Sequence, residues 1–324
     1  MGEFDLIARY FTRPQTVARI GIGDDCAIVS SGPEVETCIT SDLLIQGHHF
    51  LPEASPEALG HKALAVNFSD LAAMGAKPVS FLLSLGLPHT EEAWLAAFAR
   101  GLFALADQHN CQLIGGDTTG APIIVINITA FGSIPQGGGV LRSGAQVGDD
   151  IWVSGTLGDA SLALALRKGQ MQADSTDAAQ CFTRMDRPTP RVDLGIALAT
   201  LANSMMDLSD GLAGDLPHIL KASGVSADVE LTALPVCPAV AKLAFAQRVH
   251  CAASGGDDYE LLFTAASARR AHIQQIAQQQ QVALTHIGSI LPMLGPKPVL
   301  RWLENGQLST RKFSGFQHFT ESNR

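Results

Sequence analysis

Six short acidic segments constrain the fold of this 324-residue chain more than any other feature of its sequence. Each of them adjoins a run of residues whose hydrophobic pattern is typical of a strand or a helix. They are G-I-G-D-D at 21–25, T-S-D at 40–42, N-F-S-D at 67–70, G-G-D-T-T at 115–119, D-L-S-D-G at 207–211 and G-G-D-D-Y-E at 255–260. Because ligands in open α/β folds bind where loops leave the strand ends, we expect these segments to line one shared site.

The runs between the acidic segments alternate between strand-like and helix-like patterns. The predicted strands span 26–29, 35–40, 79–87, 111–114, 122–134, 151–154, 227–231, 259–264 and 297–303. The predicted helices span 3–11, 56–74, 91–109, 160–168, 192–202 and 212–222. This alternation favours an α/β (or α+β) fold, with more strand in the first half of the chain and more helix in the second.

A polar, glycine-rich segment at 136–148 lies between the two halves. Glycine clusters between strand-like runs mark loops, and the chain is long enough for two domains of roughly 100–200 residues each. The sequence therefore predicts two domains, at 1–137 and 138–324.

The acidic residues indicate a metal site. The chain contains 20 Asp but only 11 Glu, and nine of the Asp residues lie in the six segments. Few cations accompany them, so clustered carboxylates would repel one another unless a metal neutralised their charge. Together with the hydroxyls of Thr40, Ser41 and Ser209 they form a hard oxygen set that suits Mg²⁺, which often bridges carboxylates to phosphates. The pattern predicts a Mg²⁺-dependent enzyme acting on a polyphosphate.

Composition excludes several classes of protein. The net charge of −9 argues against binding to nucleic acid, which requires clustered cations. No C-x-x-C pair occurs among the six cysteines, so we expect buried free thiols in a reducing cytoplasm rather than a zinc site or disulfides. We expect neither a signal peptide nor a membrane span, because no apolar stretch reaches the ~20 residues that a span requires.

The common phosphate-binding motifs are absent from the sequence. It contains no G-x-x-x-x-G-K-[ST] loop, no protein-kinase H-R-D or D-F-G motif, and no G-x-G-x-x-G after a strand. The residues alone therefore leave three hypotheses open: an ATP-dependent enzyme of a less familiar class, a Mg²⁺-dependent phosphomonoesterase, and a non-catalytic protein that binds metal or nucleotide.

Seven motifs resemble those of the thiamine-monophosphate kinase family, which belongs to the superfamily of aminoimidazole ribonucleotide synthetase. They are G-I-G-D-D at 21–25, S-D-L at 41–43, N-F-S-D-L-A-A-M-G-A at 67–76, I-G-G-D-T-T at 114–119, R-S-G-A at 142–145, D-L-S-D-G-L at 207–212 and S-G-G-D-D-Y-E-L at 254–261. The resemblance runs in order along almost the whole chain. The segments at 67–76 and 207–212 are its most specific parts.

The resemblance implies transfer of the γ-phosphate of ATP to thiamine monophosphate, giving thiamine diphosphate, by direct in-line displacement. Another ATP-dependent synthetase of the same superfamily is the nearest alternative. The fold implied is the two-domain aminoimidazole ribonucleotide synthetase-like fold. Its strand-rich N-terminal domain binds ATP and Mg²⁺ and pairs with a second copy to form a homodimer, and its C-terminal domain completes the cleft.

The resemblance also assigns site residues by position. Several Mg²⁺ ions would be held by Asp25, Thr40, Ser41, Asp42, Asp70, Asp117, Asp207 and Asp210, of which Asp42, Asp70 and Asp210 are the expected catalytic residues. ATP would be contacted by Gly116, Asp117, Arg142 and Ser209. Thiamine phosphate would be contacted by His49, Asp257 and Phe316.

Two of these positions depart from the family pattern. Asp257 stands where Glu is usual, and Phe316 stands where Tyr or Trp is usual. Phe keeps the face on which a ligand ring stacks and loses the polar edge. We expect both departures to affect substrate affinity rather than the chemical step. Ser41 replaces the more usual Thr and keeps the hydroxyl.

Overall fold

The chain folds around two mixed β-sheets. The computed structural model describes residue 7 and residues 17–317, without the side chains of 175–177. The helix expected at 3–11 therefore lies outside the described residues, apart from Ile7.

Six strands of the first half form one sheet, in the order β1-β2-β3-β6-β4-β5. Their bounds are β1 Ala18–Ile20, β2 Ala27–Ser30, β3 Val35–Ile45, β4 Lys77–Leu87, β5 Gln112–Gly120 and β6 Val125–Pro135. Strands β4 and β5 are parallel, and the other neighbours are antiparallel. Alternate residues of β6, such as Ile126, Ile128 and Ala130, are buried, so one face of the sheet packs against the core.

Seven strands of the second half form the other sheet, in the order β13-β12-β9-β11-β7-β10-β8. Their bounds are β7 Asp149–Ser154, β8 Ser204–Asp207, β9 Ser226–Glu230, β10 Leu261–Ala266, β11 Leu284–Leu291, β12 Leu300–Glu304 and β13 Gln307–Leu308. The helices of this half are α3 Asp159–Arg167, α4 Ser175–Asp186, α5 Val192–Leu198, α6 Leu212–Ser223, α7 Pro238–Ala241, α8 Phe245–Ser254 and α9 Arg270–Gln280.

Helix α1, Pro56–Ala73, lies between the two sheets. Ser55 caps it by accepting a hydrogen bond from the backbone N–H of Ala58 (3.5 Å), and Pro56 suits the first turn. The helix contacts β3 and β6 of the first sheet and β8 and β10 of the second. Its residues are buried on nearly all sides, as expected for a helix enclosed by two layers rather than lying on a surface.

Helix α2, Glu92–Gln108, crosses α1 at two glycines. A Cβ atom at Gly60 would lie 2.0 Å from the carbonyl oxygen of Phe98, and one at Gly101 would lie 1.7 Å from that of Glu57. Only glycine at both positions permits the two backbones to approach so closely.

The two halves share a core. One apolar cluster contains Phe68 and Phe81 from the first half together with Trp152 and Phe263 from the second. The sheets therefore pack together through α1. Among the described helices, none has the length and apolar character required to cross a membrane.

The expected α/β fold is confirmed, but the placement of two acidic segments is wrong. Strand β3 continues to Ile45, so the segment 40–42 lies within a strand rather than at its end. Strand β5 runs through 115–119, although the sequence predicts a loop there. Both strands extend because their backbones pair with β6 and β4 along their full length. Elements that the pattern did not predict include α4, β8, α8 and β11.

Candidate active site

The carboxylates of Asp25, Asp70 and Asp207 converge. One carboxylate oxygen of each lies within 4.8 Å of the other two. Asp25 lies in the turn before β2, Asp70 in the last turn of α1, and Asp207 at the end of β8. The cluster therefore forms where the helix between the sheets meets a turn of one sheet and a strand of the other.

Burial and mutual repulsion determine the ionisation of this cluster. Desolvation raises the pKa of Asp70 well above its usual value, and the charges of Asp42 and Asp207 raise it further. Desolvation, assisted by the charge of Asp25, raises the pKa of Asp207 to about 7. Burial also raises the pKa of Asp25. Because these raised pKa values mean that the ionised form is disfavoured, a bound cation would strongly stabilise the ionised carboxylates.

One cation, Arg142, is already present in the cluster. Its guanidinium forms an ion pair with Asp25, and its backbone N–H donates to Asp24 Oδ1 (2.6 Å). Burial opposes the charge of Arg142, but the carboxylates of Asp25, Asp207 and Asp70 outweigh this effect and raise its pKa. Arg142 therefore neutralises part of the negative charge, although one arginine does not balance the surrounding carboxylates.

These side chains fit a divalent cation with a preference for oxygen. Oδ2 of Asp25 is buried and has no hydrogen-bond partner within the part of the chain that the structure describes. An orphaned carboxylate oxygen of this kind is available to a metal. Thr40 adds a hydroxyl, which donates to Asp70 Oδ2. The three-carboxylate cluster contains neither His nor Cys, which favours Mg²⁺ over Zn²⁺.

Alternation along β3 separates residues that the resemblance groups together. Thr40 and Asp42 face the cluster, since the Thr40 hydroxyl reaches Asp70 and the Asp42 charge acts on the pKa of Asp70. The side chain of Ser41 points to the opposite face of the sheet, where its Oγ accepts a hydrogen bond from Asn127 Nδ2 (3.1 Å). The Ser41 hydroxyl therefore does not join this cluster, contrary to the sequence expectation.

Backbone hydrogen bonds bring the remaining acidic loops together. The N–H of Asp257 donates to the carbonyl oxygen of Ser209 (2.8 Å), and the N–H of Phe316 donates to that of Asp210 (3.0 Å). Segments that lie 48 and 106 residues further along the chain thus meet the loop at 207–211. Ser209 and Phe316 are exposed and Asp210 is half-buried, so this group of residues is open to a ligand.

Both carboxylate oxygens of Asp257 are held by neighbouring side chains. Lys62 Nζ lies 2.6 Å from Oδ2, and the Tyr259 hydroxyl donates to Oδ1 (3.0 Å). Lys62 also donates to the carbonyl oxygen of Met185 (3.1 Å) and is buried on α1. The sequence reasoning missed Lys62. A lone lysine within the apolar helix of 56–74 was the available signal, because a buried lysine is expected to have a partner.

Gly116 and Asp117 lie apart from the three-carboxylate cluster. Strand β5 is at the sheet edge and exposed throughout. Two strands separate it from β3, a distance of roughly 14 Å between β5 and β3. The carboxylate of Asp117 accepts a hydrogen bond from the backbone N–H of Thr118 (2.9 Å). The structure therefore does not bring these two residues into the cluster.

His49 lies in the turn that follows β3 and is half-buried. Its Nδ1 accepts a hydrogen bond from the backbone N–H of Ile45 (3.0 Å). The neutral ring consequently carries its proton on Nε2.

Two further residues support the site and were not predicted. Asn67 lies one helical turn before Asp70 and accepts a hydrogen bond from the backbone N–H of Asp42 (3.2 Å). Asp215 accepts one from the backbone N–H of Asp210 (3.0 Å), and burial raises the pKa of Asp215 well above its usual value. The spacing of three residues between 67 and 70 was the available signal for Asn67, because such residues share a helix face.

Two family profiles match most of the chain. The one described as AIR synthase related protein, N-terminal domain, matches residues 23–134, and the one described as AIR synthase related protein, C-terminal domain, matches residues 146–293. The fold and its site thus define an AIR synthase-related protein.

Full-length relatives identify the family within that class. A curated thiamine-monophosphate kinase of Haemophilus influenzae is 44% identical over 328 residues, covering 99% of each chain. A crystal structure of thiamine-monophosphate kinase from Stenotrophomonas maltophilia K279a has a TM-score of 0.79 and 42% identity, covering 94% of this chain and 96% of that one. A structure of "AaThiL complexed with AMPPCP and TMP" has a TM-score of 0.81 and 30% identity, covering 98% and 97%. The chain belongs to the thiamine-monophosphate kinase family and is a kinase.

Proposed function

We propose that this enzyme transfers the γ-phosphate of ATP to thiamine monophosphate, giving thiamine diphosphate and ADP. The observation that carries the proposal is the convergence of Asp25, Asp70 and Asp207, since such a cluster is stabilised by the cations that accompany a polyphosphate. The names of the relatives and the complex of AaThiL with AMPPCP, an ATP analogue, and TMP support this choice of substrates.

We propose that several Mg²⁺ ions bind with ATP. Asp25, Asp70 and Asp207 would hold one of them, with Asp42 and Thr40 beside them. When bound, the ions neutralise charge on the phosphates and so reduce the repulsion between the two anionic substrates. The orphaned Oδ2 of Asp25 supports this assignment.

The main role of the protein in this reaction is to position the two substrates. The acceptor is a phosphate that is already ionised near neutral pH, so no side chain is needed to remove a proton from the attacking oxygen. In-line transfer then depends on alignment and on stabilising charge, without a covalent protein intermediate. Arg142, whose charge the surrounding carboxylates maintain, is suited to pairing with phosphate oxygens of ATP.

The acceptor would bind beside the loop at 207–211. Phe316 is 54% exposed and offers the face of its ring to the thiamine. Asp257 is held next to Ser209 by its backbone, and Asp210 would hold a further metal there. The Nε2–H of His49 is suited to donating to the phosphate of thiamine monophosphate.

We further propose a homodimer formed through the first sheet, with the domain boundary after residue 137. Apolar side chains exposed on this sheet include Leu43 (47%), Val79 (48%) and Ile114 (60%). Such exposed apolar residues favour an interface.

The first sheet ends at Pro135 and the second begins at Asp149, which supports the domain boundary after residue 137. Gly116 and Asp117 would contact ATP from the exposed strand β5.

None of the six buried cysteines forms a disulfide, which suits a reducing compartment, and we propose the cytoplasm as the location of the enzyme.

The test is to incubate the purified protein with γ-labelled ATP, Mg²⁺ and thiamine monophosphate. We expect the label to appear in thiamine diphosphate, with ADP formed only when thiamine monophosphate is present. Label found in inorganic phosphate alone, or phosphate released from a monoester without nucleotide, would favour a phosphomonoesterase. ATP consumption that requires a phosphorylated purine precursor instead would favour another synthetase of the superfamily.

A further inference from the structure

A second cluster of metal-binding side chains lies in the C-terminal half, apart from the acidic site. It consists of Asp159, Cys181 and Cys237, whose ligand atoms all lie within 4.8 Å of one another. Asp159 begins α3, Cys181 lies in α4, and Cys237 immediately precedes α7. Because these residues are 22 and 56 positions apart, no spacing in the sequence indicates that they meet.

The three side chains are buried among apolar neighbours. The exposed fractions of Asp159, Cys181 and Cys237 are 1%, 0% and 1%. Around them lie buried residues such as Leu162 and Val240. A carboxylate in such surroundings requires a cation or hydrogen-bond donors, because its desolvation is otherwise unfavourable.

Asp159 is only half satisfied by the protein. Its Oδ2 accepts a hydrogen bond from the Thr156 hydroxyl (2.7 Å). Its Oδ1 is buried without a hydrogen-bond partner among the described residues. No lysine or arginine forms an ion pair with Asp159 in that same part of the chain. The Cys237 thiol also interacts with this carboxylate, and a cation that replaced the thiol proton would supply the positive charge that the buried Asp159 lacks.

The separation of the two sulfur atoms matches a zinc site. The Sγ atoms of Cys181 and Cys237 lie 3.7 Å apart. Two thiolates bound to one tetrahedral Zn²⁺ at about 2.3 Å lie roughly 3.8 Å apart, whereas the sulfurs of a disulfide lie about 2 Å apart. Thiolate ligands also select Zn²⁺ over Mg²⁺, so this site and the acidic site would take different ions.

We propose that Asp159, Cys181 and Cys237 bind one Zn²⁺ ion, with Oδ1 of Asp159 as the oxygen ligand. Both thiols lose their protons to solvent when the ion binds. The ion would fasten α4 to the start of α3 and to the segment before α7. Helix α4 also carries Arg184, which forms an ion pair with Glu260, so the zinc site would stabilise the structure behind the Asp257 loop.

The test uses Co²⁺ as a spectroscopic substitute for Zn²⁺ in the reduced, full-length protein after removal of metals with a chelator. Thiolates bound to Co²⁺ give an intense charge-transfer absorption in the near ultraviolet, which the carboxylates of the acidic site do not give. We expect about one Co²⁺ per chain to produce this absorption and Zn²⁺ to abolish it by displacement.

Variants locate the ion and keep the test decisive. We expect C181S and C237S each to lose the absorption, and D159N to weaken Co²⁺ binding by about tenfold or more. Cys251→Ser is the matched control, because Cys251 is buried in the same apolar cluster. Cys26→Ser tests whether the absorption comes instead from Cys26, which hydrogen-bonds Cys38 and lies near the acidic site. Both controls should retain the absorption, and circular dichroism should show all variants folded.

Three results would overturn the proposal. They are no thiolate absorption from the wild-type protein, an absorption unchanged in C181S, and a Cys181–Cys237 disulfide in place of metal binding. After any of these results, Cys181 and Cys237 would be interpreted as two thiols packed in the apolar cluster or as a redox pair, and not as metal ligands.

Discussion

At the scale of single residues, the ionisation of Asp207 couples the candidate site to stability. Burial raises its pKa to about 7 from a usual value of 3.8, so between these pH values the native state binds more protons than the unfolded state. The stability that this difference contributes is present below about pH 4 and is lost as pH rises to about 7. We expect the metal-free protein to have a lower Tm at about pH 8 than at about pH 5, measured by thermal denaturation in EDTA.

The same Tm measurement with added Mg²⁺ in place of EDTA tests the effect of a bound cation. Mg²⁺ binds ionised carboxylates, so it should raise Tm more at the higher pH. Asp207→Asn should reduce the difference in Tm between about pH 5 and about pH 8 in the metal-free protein. It should not remove all of it, because burial shifts the pKa values of Asp70, Asp215 and Asp258 in the same direction. A metal-free Tm that rises with pH across this window would contradict the assigned ionisation.

Phe316 allows substrate affinity to be tested separately from the fold. Its backbone N–H bonds to Asp210 whatever the side chain, so Phe316→Ala should leave the loop in place. Loss of ring stacking should raise KM for thiamine monophosphate by about threefold to tenfold, with KM for ATP unchanged. Phe103→Ala, which removes another exposed phenylalanine, is the control. Equal changes in both KM values, or no change, would argue against this role.

At the scale of elements, the close approach of α1 and α2 can be tested by adding one methyl group. A Cβ atom at Gly101 would overlap the carbonyl oxygen of Glu57, so Gly101→Ala should lower the free energy of unfolding by about 1–3 kcal/mol. Chemical denaturation gives this value. Gly32→Ala, where nothing lies within 4 Å of the added atom, should change it little. Equal stability of the two variants would mean that the helices separate readily.

The element pattern was largely readable from the sequence, and the reasons for its failures are physical. Helix 56–74 was predicted almost to the residue because Ser55 and Pro56 mark its start. Strand β8, by contrast, is four buried residues long, which is too short for a periodic pattern to appear. Glycines at 115–116 suggested a loop, yet pairing with β4 carries strand β5 through them.

The site was partly predictable for related reasons. The excess of Asp over Glu and the positions of the motifs indicated Asp25, Asp70 and Asp207 as site residues, and the fold brings these three together. Ser41 was misplaced because the motif was treated as a loop, whereas alternation within a strand turns its side chain away. The lone lysine of helix α1 indicated only that Lys62 needs a partner. That the partner is Asp257 depends on the packing of the two sheets, which no pattern in the sequence reveals.

At the scale of the whole molecule, the first sheet should join two copies of the chain. Light scattering should give twice the chain mass of 34.1 kDa for the wild-type protein. Leu43→Asp, which places a charge on the exposed sheet, should shift the mass toward that of one chain. Leu308→Asp, at an equally apolar exposed position on the second sheet, should leave the mass unchanged. A wild-type protein with the mass of a single chain would contradict the proposed dimer.

The most direct test of the account is the rate of thiamine diphosphate formation in the wild-type protein and in Asp42→Asn. Asp42 is half-buried beside the carboxylate cluster, so its amide variant should fold normally, as circular dichroism would show. With saturating ATP, Mg²⁺ and thiamine monophosphate, we expect this variant to lose activity by about 100-fold or more. Asp107→Asn, at an exposed position on α2, should retain full activity. Wild-type activity in a folded Asp42→Asn protein would contradict the assignment of phosphoryl transfer to this cluster.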